Sequence, residues 1–172
     1  LFINTKKINR VKIEKKDLLI LLYWRNKEGI RDFNNQYMLL NLELQKKWFM
    51  NIKKSNERKM FLIIYDDKPV GVCGLINMDK KNHNAEIAII VGEDRLHGKG
   101  IGTNALKKLL KIGFEKFNLH RISAEVFEFN NISQKFFEAL NFKYEFTEKD
   151  KLWRRGRWWN VITYSILYDE YK

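Results

Sequence analysis

Ala85-Glu86-Ile87-Ala88-Ile89-Ile90-Val91-Gly92, a short spacer, and then His97-Gly98-Lys99-Gly100-Ile101-Gly102-Thr103 form the stretch that decides the fold of this chain. The first run is β-branched and reads as a strand over residues 86–91, with Ile87, Ile89 and Val91 on one face. Beyond the glycines, Ile101, Ala105, Leu109, Gly113 and Phe117 recur at i, i+4 steps with Leu106, Leu110 and Phe114 beside them, so residues 100–117 read as the strongest helix. Glycine lets a main chain turn tightly and approach a ligand closely. A helix that starts there aims unpaired N–H groups outward, and its dipole favours an anion, usually a phosphate. The expectation is a strand–loop–helix that holds a phosphorylated ligand.

The spacing Gly98-x-Gly100-x-Gly102 departs from two familiar phosphate loops. The dinucleotide fingerprint places its third glycine one position later. A Walker loop closes a longer span with Gly-Lys-Ser/Thr.

Working outward, Asp17 is placed to cap a helix through about Trp24, and Asn41 one through about Lys54 with Leu44, Trp48 and Ile52 as its stripe. Residues 8–13 alternate weakly as a strand, and residues 29–40 have no period. Residues 60–65 and 70–78 are strands joined by the turn Asp66-Asp67-Lys68-Pro69, with Gly71 and Gly74 marking a bulge or a close approach. Residues 121–127 read as a strand, 130–140 as a helix, and 142–146 and 158–167 as strands. Residues 151–157 between them are basic and aromatic, with a turn at Gly156. The implied architecture is a single α/β (α+β) domain over residues 1–172. Its mixed sheet is mostly antiparallel, with one parallel β-α-β unit around the glycine loop.

The 172 residues are 45% apolar and 31% charged, as expected of a globular domain with a sizeable core. A lone cysteine, Cys73, excludes an intrachain disulfide and a Cys-rich metal site, and makes a reducing cytoplasm the expected compartment. No signal-peptide pattern and no membrane-length apolar run occurs, and Leu1 in place of methionine points to a trimmed or engineered start. His83 and His120 lack a second ligand at metal spacing, so no metal is expected. The net charge of +12 suits an anionic ligand and disfavours a polycationic one. The cations are dispersed and no nucleic-acid-binding motif occurs, so nucleic acid is not the expected partner.

Residues 85–105 resemble the acyl-CoA core of the GNAT N-acetyltransferases. That family's Gln/Arg-x-x-Gly-x-Gly/Ala pattern falls on His97, Gly100 and Gly102, with His97 replacing Gln or Arg. Asn130-x-x-Ser133-x-x-x-Phe137-x-x-x-Asn141-Phe142 resembles its downstream signature, with Phe137 in place of a tyrosine that protonates the leaving thiolate in many relatives. The resemblance implies acetyl-CoA as co-substrate. It implies that the backbone of Ile89, Ile90 and Val91 pairs with pantetheine, and that His97, Gly98, Lys99, Gly100, Ile101, Gly102 and Thr103 meet the pyrophosphate. Asn130 would bond the cofactor arm or cap its own helix. Glu86 is the candidate base, acting through water, and equally reads as a plain strand-end carboxylate. Tyr144 or Tyr164 are candidate substitutes for the missing acid.

Trp24-Arg25-Asn26 and the Leu42–Phe49 stretch of residues 42–49 resemble the N-terminal segments of two branches. One acetylates nucleotide-linked amino sugars, the other protein N-termini, including those of ribosomal proteins. Trp24, Arg25 and Asn26 are therefore expected at the substrate, although Trp24 also reads as a core anchor. The reaction expected is transfer to a primary amine by direct attack in a ternary complex. The lean is toward an amino sugar, with a protein N-terminus or a polyamine as alternatives. A CoA-binding sensor without catalysis is the non-enzyme alternative raised by Phe137. The basic, aromatic segment at residues 151–159 reads as a substrate lip, a homodimer contact or simple packing.

Overall fold

The computed structural model describes residues 13–171, so the strand expected at residues 8–13 lies outside the described residues apart from Ile13. Lys15–Asp17 forms one 3-10 turn closed by a capping box between Glu14 and Asp17. Asp17 accepts the Glu14 N–H at 2.8 Å, so its carboxylate serves this turn rather than capping α1 (Leu18–Asn26). α2 (Glu28–Arg31) is a single turn inside the aperiodic stretch. α3 (Leu42–Lys54) starts at Asn41, whose side chain accepts from Leu44 N–H at 2.9 Å. Its buried residues are Gln45 and Phe49, one step round from the expected stripe: Leu44 is 45% exposed, and Trp48 and Ile52 flank the core. Gln45 is drawn inward because its Oε1 accepts from Arg25 Nη1 at 2.8 Å.

The strands are β1 (Lys59–Tyr65), β2 (Lys68–Asp79), β3 (Asn84–Val91), β4 (Arg121–Phe127), β5 (Lys143–Arg154) and β6 (Arg157–Leu167). They form one sheet in the order β1-β2-β3-β4-β6-β5. β1 and β2 pair across a two-residue turn in which Asp66 and Asp67 both take positive φ (51° and 56°), the primed geometry that matches strand twist. The register slips between Ile63 and Ile64, which is the bulge anticipated around Gly71. β3 and β4 are parallel, paired from Asn84↔Arg121 to Glu86↔Ser123. β4–β6 and β6–β5 are antiparallel. Residues 151–154, expected in a turn region, are the end of β5. Arg155 and Gly156 form the whole turn (φ 52° and 73°), so pairing continues out to Arg154↔Arg157. Trp153 and Trp158 then meet edge-on across the strands, 5.2 Å between centroids.

α4 (Ile101–Lys111) follows the glycine loop, and α5 (Asn131–Glu138) and the short α6 (Tyr168–Tyr171) complete the helices. The expected helix over residues 100–117 is α-helical only to Lys111; Ile112–Lys116 widen into a π turn. Asn141 takes φ 64° after α5, the left-handed conformation that asparagine tolerates.

The described chain clusters into two compact units. One runs to Ile76 and includes Ala88–Leu109; its core holds Leu18, Leu21, Trp24, Phe49, Leu62 and Val72. The other holds Asn77–Ile87 and the chain from Leu110 onward; there Phe137 stacks edge-on with Phe136 and Phe142, while Ile122, Val161 and Ile166 are buried on the strands.

Candidate active site

In the glycine loop, Gly98 and Gly100 sit at φ 72° and 76°, a region that side chains other than glycine enter only with strain. A Cβ at Gly98 would meet nothing within 4 Å, and one at Gly100 only Asn104 Nδ2 at 3.9 Å. The glycines are therefore required by backbone shape and leave open space in front of them. The first i→i−4 bond of α4 is Asn104 N–H to Gly100 O at 3.0 Å, so the N–H groups of Ile101, Gly102 and Thr103 stand at the open first turn. Two loop amides are already used: His97 N–H donates to Asp94 O at 3.0 Å and Lys99 N–H to Leu96 O at 3.3 Å. The donors left for an anion are thus those of Gly98, Gly100 and residues 101–103, not the whole run. Ile101 is 2% exposed and contributes main chain alone, while the Lys99 side chain is exposed beside the turn.

The end of β3 is held by contacts that sequence reading missed, one of them from Lys27, a residue it did not single out. His97 Nε2 lies 2.9 Å from Val91 O. Lys27 Nζ donates to Gly92 O at 2.8 Å and pairs with Asp94 at 3.1 Å. Trp24 Nε1 donates to Glu93 Oε1 at 3.0 Å. Lys27 is 65 positions from Gly92; no local pattern marks such a contact.

Trp24 is 0% exposed, so it shapes the site from within the core. Asn26 clamps Leu40 in both directions: Nδ2 donates to Leu40 O at 2.8 Å, and Leu40 N–H donates to Oδ1 at 2.9 Å. Arg25 is half-buried, its guanidinium 5.0 Å from the Trp48 ring centroid. It bonds no carboxylate among the described residues, and burial lowers its pKa from the ordinary value. Gln45 beside it is fully buried, with an Nε2 that lacks a partner.

Glu86 and Asn130 belong to the second compact unit. Glu86 is half-buried, opposite Ser123 in the parallel pairing, and its carboxylate makes no hydrogen bond or ion pair among the described residues. Asn130 caps α5, accepting from Ser133 N–H at 3.1 Å. Phe137 is 5% exposed. Tyr164, a candidate acid, is 3% exposed and donates to Glu138 Oε1 at 3.1 Å; burial first, then this neighbour, raises its pKa. Tyr144 is 59% exposed, with its hydroxyl 3.2 Å from Thr147 Oγ1.

Residues 10–143 match the family described as the acetyltransferase (GNAT) domain. The chain belongs to the GNAT acetyltransferases. The GNAT chain is 29% identical to the uncharacterized N-acetyltransferase p20 of Bacillus licheniformis, over 71% of its own length and 68% of that protein. It is 31% identical to YdaF of Bacillus subtilis, which is named as a candidate ribosomal N-acetyltransferase, over 64% of its length and 60% of that protein. Its fold matches the crystal structure of spermidine N-acetyltransferase from Vibrio cholerae in complex with CoA and spermine. The TM-score is 0.84 at 22% identity, covering 92% of this GNAT chain and 94% of the other. The expected fold class and the N-acetyltransferase activity stand. Among the described residues of this GNAT enzyme, no helix is long and apolar enough to cross a membrane.

Proposed function

We propose that this N-acetyltransferase moves the acetyl group of acetyl-CoA directly to the α-amine of a protein N-terminus. The 31% identity to a protein named for ribosomal N-acetylation is the observation that carries this choice of acceptor. It favours what was an alternative in the sequence reading over the amino sugar.

The glycine loop fits the cofactor: left-handed glycines, open space before them and free amides at the start of α4 suit a diphosphate. The cofactor supplies an acyl thioester, a reactive carbonyl with a fair leaving group. Gly98, Gly100, Ile101, Gly102 and Thr103 hold its pyrophosphate through main-chain N–H groups, with the Lys99 side chain alongside, while the His97 ring is engaged by Val91 O. Ile89 and Val91 offer main-chain groups to its pantetheine arm, whereas Ile90, expected beside them, turns its carbonyl toward Gly71 of β2. Glu86, through water, removes the proton of an amine that is otherwise charged near neutral pH. Phe137 has no proton to give, and Tyr164 has committed its hydroxyl to Glu138. The departing thiol needs less help than an alkoxide, with a pKa of about 8.5. Asn130 acts on the arm only indirectly, by fixing the start of α5.

An anionic amine, such as a nucleotide-linked amino sugar, is the second reading. Arg25 favours it, as a half-buried guanidinium on Trp48 with no carboxylate among the described residues. A polyamine suits the net charge of +12 least.

A thiol-release screen with acetyl-CoA tests the reading. N-terminal peptides should release CoA and polyamines should not. Release with nucleotide-amino sugars alone would transfer the assignment to the second reading, and release with no amine would remove both.

A further inference from the structure

We infer that His97 is a positioning residue that sets the register in which the pantetheine arm lies along β3. This rests on the reading that the end of β3 receives that arm.

Main-chain groups of a strand alternate between its two edges. Gly92 N–H donates to Val70 O on β2 at 2.8 Å. Two residues back, the Ile90 carbonyl lies so close to Gly71 of β2 that a Cβ at Gly71 would fall within 3.0 Å of its oxygen. Residues 90 and 92 therefore face β2, and Ile89 and Val91 turn their N–H and C=O groups to the other edge. On that edge His97 is already bound, with Nε2 2.9 Å from Val91 O. A carbonyl only accepts, so the proton sits on Nε2 of His97.

The edge thus presents Ile89 N–H, Ile89 C=O and Val91 N–H, while the His97 ring takes one lone pair of Val91 C=O and stands 2.9 Å from it across the approach. A pantetheine arm carries amide donors and acceptors of its own. It can pair with such an edge in registers that differ by two residues. His97 removes the register that uses Val91 C=O. The register kept places the acyl group at one point along the strand. Lys27 on Gly92 O and Trp24 on Glu93 fix the residues just beyond, so the edge itself does not shift. The residue that opens the phosphate loop thereby also fixes where the far end of the cofactor lies.

The experiment needs no acceptor. Acetyl-CoA labelled with ¹³C at the thioester carbonyl is bound to the native protein, His97→Gln and His97→Phe, with affinity measured by calorimetry. The native protein and His97→Gln, which keeps a donor, should each give one bound carbonyl resonance. His97→Phe should give a second or shifted resonance. Its affinity should change by less than about threefold, because one exposed hydrogen bond is exchanged for another. ¹⁵N spectra of the free native protein should show His97 protonated on Nε2. A His97→Phe resonance identical to the native one, or a proton on Nδ1 only, overturns the inference while leaving the cofactor site intact. Failure of the native protein to bind acetyl-CoA overturns the site reading and this inference with it.

Discussion

Trp24 packs its indole against Gly92, leaving no room for a methyl group between them: a Cβ at Gly92 would come within 3.0 Å of three ring carbons. The same indole donates to Glu93. One buried tryptophan from α1 therefore positions the turn that leads from β3 into the glycine loop.

Gly92→Ala should be costly because neither side can yield: Trp24 is 0% exposed and Gly92 N–H is bonded to β2. We expect a loss of about 1–3 kcal/mol, typical of overpacking. Urea unfolding measures it, and Trp24→Leu in the same chain should return part of the loss relative to Trp24→Leu alone.

Gly98→Ala and Gly100→Ala meet open space, so their cost in the free protein is the left-handed backbone, about 1–2 kcal/mol each. Gly100→Val adds a branch pointing where the pyrophosphate is held. Acetyl-CoA affinity should fall at least about tenfold in the valine variant while the protein stays folded. Unchanged affinity by calorimetry would show that the diphosphate lies elsewhere.

Glu86→Gln keeps the size and removes the base. We expect kcat to fall by about 10²–10⁴ with acetyl-CoA affinity unchanged. An unchanged kcat would reassign the base.

Cys73 is 1% exposed, and burial pushes its thiol from 9.0 up to about 12. The folded chain holds this proton more tightly than the unfolded one. The contribution to stability is whole below about pH 9 and is lost as pH rises toward 12, at up to about 1.4 kcal/mol per pH unit. Tyr164 and Tyr171, also raised by burial, add to the loss in the same direction. Denaturation between pH 8 and 11 should show the slope, and Cys73→Ala should flatten it. The native thiol should also resist alkylation at pH 8, leaving thiol-release assays without background from the enzyme.

The parts of the fold that were legible in the sequence are those that local chemistry decides. Asp66-Asp67 specified a tight hairpin, Asn41 a helix start, and the spacing of Ile101, Ala105, Leu106, Leu109 and Leu110 a buried face that the structure buries throughout. Asp17 misled because its own backbone is already helical (φ −85°, ψ −9°), so its carboxylate turns back to the earlier turn instead of capping α1. The α3 stripe shifted because Gln45 reads as polar until Arg25 is seen to hold its Oε1. At the candidate site the glycines were legible from spacing. The clamp by Trp24, Lys27 and His97 on residues 91–93 was not, since its partners are tied by tertiary contact rather than by any repeat.

Among the described residues, β5 ends the sheet with one side of its backbone unclaimed by a neighbouring strand. A twelve-residue border of that kind invites other chains to stack on it and grow into fibres. Lys143, Glu145, Glu148, Lys149, Asp150 and Lys151 line that border, and the register break between Glu148 and Leu152 keeps it from lying flat. Those charges and that break oppose edge-to-edge pairing between copies, and neutral substitutions along the strand should favour it.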